Sequence, residues 1–480
     1  MSASGYYELQ SNLSNTLIKS MRPDEHPYGI DLHENCGLHS STGSIWNKRY
    51  IHVACLPAFS LLLNSTVALA DEWLPPPEPE TEPTQAPSGP HRADEIREEP
   101  LPFATQPVLR VWSDAYHEHG EKIRNNILGL SINGFRQFGV DWMVTSGVDI
   151  DYSSTHPNIS ADAGWRLGLR EFHIRHNAIT WWMEAGRINV RNGVATGYNP
   201  SDFYRMGAIT ATRTLDPQRL RESRLGAVQL RAGTRMAESE WVISLSPSLH
   251  DRESPAWYDP RWGAVNGGTS QRGLEITLPR WKGVFSQLLW QHRNDIGDSI
   301  GANVNAPLGQ ATIIYAEWAR THRKALGALA QNGDVHTSSV QQWATGLRFT
   351  SESRITLGLE WQYNGAGLSR DEWSGIWQFA DTTGATRALA DAGSSSDPLS
   401  RNSMMISLLW ERFSHRNAEL DCFLRRNQTD HSHLGWCEWR YKGTDDEWSF
   451  SISRADGQAR SEFGTIAQRW AMAMRWRHYW

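Results

Sequence analysis

The sequence predicts an all-β fold: a transmembrane, antiparallel, up-and-down β-barrel of about 16 strands, with roughly 14 to 18 as the range. Three observations lead there. Long stretches alternate apolar and polar residues with a period of two. Tryptophan is abundant, with 24 copies among 480 residues against 4 Cys and 10 Met. The chain has a mean hydropathy of −0.54, and its body lacks an apolar run of the roughly 18 residues that a spanning helix needs. A bundle of transmembrane helices is therefore excluded.

The alternation begins near residue 140. Val140, Trp142, Val144, Val148, Ile150 and Tyr152 share one parity, and Asp141, Thr145, Asp149 and Asp151 the other. Ile355, Leu357, Leu359, Trp361 and Tyr363 alternate with Arg354, Thr356, Gly358, Glu360 and Gln362, and Trp448, Phe450 and Ile452 alternate with three serines. Period two with one apolar face is a strand signature. A soluble sandwich would show it too, so three further features choose the barrel. Aromatic residues sit at strand ends, as an interfacial girdle requires, because Trp is apolar at one end and polar at the other. The chain closes on a strand in which Trp470, Met472, Met474, Trp476, His478 and Trp480 share a face. Connections alternate in length: His176-Asn177, Ser351 to Ser353 and Gly443 to Asp446 are tight, whereas 191–224, 248–270, 321–338 and 364–402 are long. Strands are expected near 140–152, 163–175, 178–190, 225–235, 240–247, 271–279, 284–292, 298–305, 311–320, 339–350, 354–363, 403–412, 417–426, 432–442, 447–455 and 468–480.

Four regions follow. Residues 1–70 hold an N-terminal extension and a signal peptide: Lys48 and Arg49, the apolar run Tyr50 to Leu63, then Val67-Ala68-Leu69-Ala70 give the n-region, h-region and small-residue cleavage site in order. Met21 is a second candidate start, and His52-Val53-Ala54 before Cys55 is a poor lipobox. Residues 71–105 form an acidic, Pro-rich linker that cannot bury a core. Residues 106–139 are expected as a periplasmic or plug segment, with a short strand at Val108 to Val111 and a short helix at Glu121 to Leu130. Residues 140–480 form the barrel.

Cys422 and Cys437 are equidistant from the turn Asn427 to Ser432, so an antiparallel hairpin would make them direct neighbours. In an oxidising compartment they are expected to form a cross-strand disulfide.

Residues 161–235 carry twelve Arg, six acids and no Lys, within a chain of formal net charge −6. Arg166, Arg170 and Arg231 fall on the polar parity of their strands and are expected to face the lumen. With Arg187, Arg191 and Arg205 they form the candidate substrate-binding set, because guanidinium forks hold carboxylate or phosphate. The bland alternative pairs these arginines with neighbouring acids or with lipopolysaccharide phosphates. The 191–224 connection contains Gly193, Gly197 and Asn199-Pro200, which break a strand, and Ser201 or Asp202, which suit a helix cap. It is the candidate for a loop folded inward to narrow the channel, against the alternative of an ordinary outer loop.

The terminal Trp480 resembles the last-strand aromatic that outer-membrane proteins present to the barrel assembly machinery. The run from Gly186-Arg187 to Asn199-Pro200-Ser201-Asp202 resembles segments of exporter and porin-like outer-membrane barrels, alginate-export-type proteins among them. The resemblance implies a channel or exporter of the Gram-negative outer membrane. Its surroundings would be lipid and lipopolysaccharide, and its cargo an anionic solute, an acidic polysaccharide among the candidates. A surface glycan-binding barrel with a closed lumen is the first alternative, with Trp257, Tyr258, Trp262, Trp373 and Trp377 as stacking residues. A barrel enzyme is the second. Against it, His292-Arg293-Asn294-Asp295 lacks the serine of the His-x-Ser-Asn-Gly run of outer-membrane phospholipases, and His250-Asp251 and Asp430-His431 are lone pairs on loops. His431 and His433 would need a third ligand to hold a metal. No catalytic residue, metal or cofactor is assigned, and nucleic-acid partners are not expected behind a signal peptide.

Overall fold

Eighteen strands form one closed antiparallel sheet. They are β1 (Ala104–Glu118), β2 (Glu121–Phe138), β3 (Trp142–His156), β4 (Gly164–Asn177), β5 (Trp181–Ile188), β6 (Ala227–Met236), β7 (Ser239–Ser246), β8 (Gln271–Thr277) and β9 (Phe285–Arg293). The ring continues with β10 (Gly297–Leu308), β11 (Thr312–Arg323), β12 (Ser338–Thr350), β13 (Ile355–Asn364), β14 (Asn402–Glu411), β15 (Ala418–Asn427), β16 (His433–Lys442), β17 (Asp446–Asp456) and β18 (Trp470–Tyr479). Each pairs with its neighbours in sequence, and β1 closes the ring on β18 from Val108 opposite Tyr479 to Tyr116 opposite Ala471. The computed structural model describes residues 104–118, 121–156, 164–205, 215–236, 238–249, 265–266, 268–330, 337–376, 397–458, 461–464 and 469–480. The expected signal peptide and nearly all of the linker lie outside these.

The sheet is inside-out relative to a soluble protein. On β13, Leu357, Leu359 and Trp361 are exposed while Glu360 and Gln362 are buried; on β17, Trp448 and Phe450 are exposed while Ser449, Ser451 and Ser453 are buried. An apolar outer band with a polar interior needs lipid around it, and closure leaves no unpaired edge within that lipid. Exposed aromatics mark both rims. Phe138, Trp142, Trp181, Trp241 and Trp281 stand at the short-turn end, and Tyr152, Trp165, Trp361 and Trp470 at the other. Replacing Leu359, near the middle of β13, by Arg is expected to destabilise the barrel by about 2–4 kcal/mol. Denaturant titration in lipid vesicles checks it, and an unchanged midpoint would place Leu359 off the lipid face.

The count corrects the expectation of about 16 strands. The segments expected between 140 and 480 correspond to β3–β18; the two extra strands are β1 and β2, built from residues assigned to a periplasmic or plug segment. Here both parities carry apolar residues. Leu128 is exposed to lipid, whereas Tyr116 and Ile123 point inward and pack with Leu215, Leu434, Trp436 and Phe463. An apolar cluster inside the lumen blurs the period-two signal, and Pro107 adds a residue that demotes a strand.

Cys422 and Cys437 are direct partners in the β15–β16 ladder and are joined by a disulfide with Cα atoms 4.1 Å apart. Non-reducing mass spectrometry of protein from its membrane is expected to find neither thiol free; two free thiols would refute the pairing.

Candidate functional site

Between β5 and β6 the described residues, 189–205 and 215–226, fold into the lumen. Gly193, with φ of +100°, makes the first turn; a Cβ there would lie 2.7 Å from the Glu317 carboxylate, so this close approach needs glycine. Five consecutive backbone amides then meet two carboxylates from the wall. Val194 and Ala195 donate to Glu317 on β11, the latter at 2.5 Å. Thr196, Gly197 and Tyr198 donate to Glu360 on β13 at 2.7 to 3.1 Å. Tyr315 adds its hydroxyl to Glu360 at 2.8 Å. Backbone amides buried in a lumen need acceptors, and the two carboxylates supply them.

Beyond this clamp, Asn199-Pro200 and Ser201 lead into a 3-10 turn at Phe203–Arg205. Ser201 Oγ donates to Asn303 on β10 at 2.5 Å and to Glu317 at 3.0 Å. A short helix, Pro217–Glu222, follows: Asp216 caps it by accepting from Gln218 N, and proline opens its first turn, where a missing N–H costs nothing. On one side the segment reaches Ser244 on β7 through Tyr204 (2.5 Å) and Glu275 on β8 through Asn192 (3.4 Å). On the other, Arg219 lies 3.3 Å from Glu438 on β16 and 3.5 Å from Glu447 on β17. Those strands stand opposite one another in the ring, so the described residues 189–205 and 215–226 together bridge the lumen. Burial pushes the Tyr204 phenol up to about 12, and raises the Tyr198 phenol too. Burial is also the largest influence on Arg219, whose guanidinium is lowered from its ordinary value.

The six candidate arginines all lie along the wall or in the bridging segment, but they do not form one bare ring. Arg170 donates to Asn133 and lies 3.6 Å from Asp149. Arg231 joins Glu184 (2.7 Å) and Glu275 (3.2 Å). Arg205 pairs with Asp397 at 2.6 Å and donates to the carbonyls of Pro200 and Asp202. Arg187 is buried at the root of the segment, its Nε donating to Gly226 O. Arg191 is exposed, 4.0 Å from Glu222, and Arg166 stands opposite Asp151 in the β3–β4 ladder. The arginine side chain is the more exposed partner in Arg170–Asp149 (15% against 0%), Arg231–Glu184 (12% against 5%) and Arg221–Asp202 (23% against 1%), and the less exposed one in Arg440–Glu419 (9% against 14%).

Sequence reasoning did not single out Glu317, Asp397 or Arg425; it placed Glu360 on a polar parity and counted Arg221 and Arg224 without giving them a role. Trp257, Tyr258, Trp262 and Trp377 lie outside the described residues. Trp373 is buried in the short helix Arg370–Ile376, not displayed for stacking. Gly297-Asp298-Ser299-Ile300-Gly301 spells the G-x-S-x-G of a nucleophile elbow, but it lies along β10 rather than at a strand-to-helix turn. Ser299 faces the lumen, and His292, on β9, lies on the outer parity with the exposed Leu288. Among the described residues no group of three or more His, Cys, Asp or Glu is placed to hold a metal.

No family model matches the chain, and no curated protein matches it. Solved structures do. OccAB1 of Acinetobacter baumannii superposes with a TM-score of 0.51, covering 80% of this chain and 98% of that one at 11% identity. The fold is that of an outer-membrane porin. OccK3 (OpdO) of Pseudomonas aeruginosa gives a TM-score of 0.45 at 10% identity, covering 79% of this chain and 96% of its own. An engineered variant of the Rh. blastica porin gives 0.40 at 9%, covering 79% and 100%. At these identities the porin likeness speaks to fold alone, and the solute has to be argued from the lumen.

Proposed function

We propose that this barrel is an outer-membrane channel for anionic solutes, with residues 189–205 and 215–226 as its constriction and organic or polysaccharide acids as the candidate cargo. One observation carries the reading: in the pairs Arg170–Asp149, Arg221–Asp202 and Arg231–Glu184 the carboxylate is buried and the arginine side chain is the more exposed partner. A solute carboxylate entering the lumen therefore meets guanidinium first, and exchanging part of its hydration for a charge-assisted hydrogen bond is favourable where water is restricted. No catalytic role is part of this reading. Recognition of Trp480 by the assembly machinery and lipopolysaccharide contact at the outer rim belong to the same proposal.

Planar-bilayer recordings under a salt gradient test it. The reversal potential is expected to show anion preference, and Arg170→Gln with Arg221→Gln is expected to reduce it. A cation-preferring channel would reverse the proposal. A folded barrel that never conducts would favour a closed surface binder.

A further inference from the structure

A cavity of ≈870 Å³ opens on the lipid side of the wall at β5–β8. Its floor follows one row of facing partners: Ala185 opposite Leu230, Leu230 opposite Leu245, and Leu245 opposite Arg272. Leu230 and Leu245 are exposed, so the row lies on the outer surface of the barrel. Ala185 and Gly186 carry almost no side chain, which leaves a groove beside the two leucines. Apolar walls forfeit dispersion contacts unless something fills the space between them. The outer end of the groove differs. Arg272 is the second residue of β8, at the rim from which the long 248–270 connection arrives, and it is exposed. Among the described residues its guanidinium has no ion-pair partner. Ser270 and Asn294 line the same end, and Asn294 Nδ2 donates to Ser270 Oγ at 2.7 Å, which leaves the serine proton free to be donated. The acids of the adjoining β9–β10 hairpin are taken: Asp295 lies 2.7 Å from Arg293 and Asp298 lies 3.0 Å from His292. An arginine at a membrane interface lays its stem on apolar surface and holds its head among the polar groups, where anionic head groups attract it.

We propose that this groove binds one phosphorylated glycolipid of the outer leaflet, lipopolysaccharide, with acyl chain along Ala185, Leu230 and Leu245 and a lipid A phosphate on Arg272. The two halves of the site match the two halves of that molecule. An uncharged lipid would fill the groove and leave the guanidinium without an anion, whereas free phosphate would meet Arg272 and leave the apolar floor bare. A phosphate at Arg272 gains charge-assisted hydrogen bonds from the guanidinium fork, and the Ser270 hydroxyl adds a neutral donor beside it. The site rests on the outer-rim lipid contact proposed above and not on the solute, because Arg272 faces away from the lumen.

The test uses the protein purified from its membrane, stripped of lipid in mild detergent and titrated under native mass spectrometry with lipid A, dephosphorylated lipid A, phosphatidylethanolamine or inorganic phosphate. Lipid A is expected to bind in one equivalent, at least about tenfold tighter than its dephosphorylated form or phosphatidylethanolamine, and inorganic phosphate not to displace it. Arg272→Gln, which removes the charge, and Ala185→Trp, which fills the groove, are each expected to weaken lipid A about tenfold, the equivalent of one charge-assisted hydrogen bond or of lost apolar contact. Arg354→Gln, on a turn at the other end of the barrel, serves as the folded control. Equal retention of the two forms of lipid A, or unweakened binding in both variants, overturns the site. So do lipid-free oligomers that Ala185→Trp disperses, since the groove would then hold a second copy of the chain. In bilayer recordings Arg272→Gln is expected to keep the ion preference of the unsubstituted protein; a shifted preference would place Arg272 in the lumen and also overturn the site. A cation-preferring barrel that still binds lipid A through Arg272 overturns the channel reading alone.

Discussion

Replacing Glu360 by alanine is expected to release the bridging segment from the wall. The Glu360 carboxylate accepts Thr196 N, Gly197 N and Tyr198 N, together with the Tyr315 hydroxyl and Gln362 Nε2. Alanine leaves all five donors without that acceptor. Each unpaired buried donor costs about 1–3 kcal/mol. Water will reach some of them once the segment moves, so the docking equilibrium should weaken by on the order of 3–6 kcal/mol. That shifts a two-state loop by a hundredfold or more. The readout is a larger unitary conductance with weaker anion preference, and a new protease cut near residues 193–198. Glu360→Gln keeps one acceptor oxygen and should fall between. Glu317 holds the neighbouring amides, so the two substitutions should be non-additive. A Glu360→Ala barrel with unaltered conductance and protease resistance would mean that the clamp does not hold the constriction.

The second large effect is expected at Arg231. It lies between two buried carboxylates, Glu184 and Glu275. Arg231→Met removes the cation they share, leaving Glu184 with Arg175 at 3.4 Å and Glu275 with Asn192 at 3.4 Å, a loss of up to about 3–5 kcal/mol for a broken buried pair. The midpoint of urea unfolding in vesicles should drop accordingly, and anion preference should fall with it. Adding Glu184→Gln and Glu275→Gln to the same chain should recover most of the stability but not the selectivity. If the triple variant stays as unstable as the single one, Arg231 acts through packing against Trp182, whose ring lies 5.6 Å away, and not through charge.

Much of the wall was legible without a structure. At Leu357–Trp361 and at Trp448–Ile452 lipid demands an apolar residue on every second position and water accepts polar ones between them, so the strand announces itself locally. The same reasoning put Arg170 and Arg231 inside. It failed at β1 and β2, where Tyr116 and Ile123 are apolar on the inner face because they support Leu215 of the bridging segment. The inward-folded segment was visible as a candidate through Gly193, Gly197 and Asn199-Pro200, which cannot continue a strand. Its anchors were not visible, because a glutamate on the polar parity of a strand looks the same whether it faces open water or accepts three amides.

By itself, then, the sequence determined the class of fold, the strands from residue 140 onward, the lipid-facing parity and the concentration of arginine between 161 and 235. Each of these is a property of neighbouring residues under one solvent constraint. Only the tertiary structure decided which charges cancel, what holds the constriction and where a cavity lies. Gly197 meets Glu360 across 163 residues, and Arg205 meets Asp397 across 192. Such pairs exist only once the ring has closed and the segment has crossed it, and local periodicity carries no record of either event.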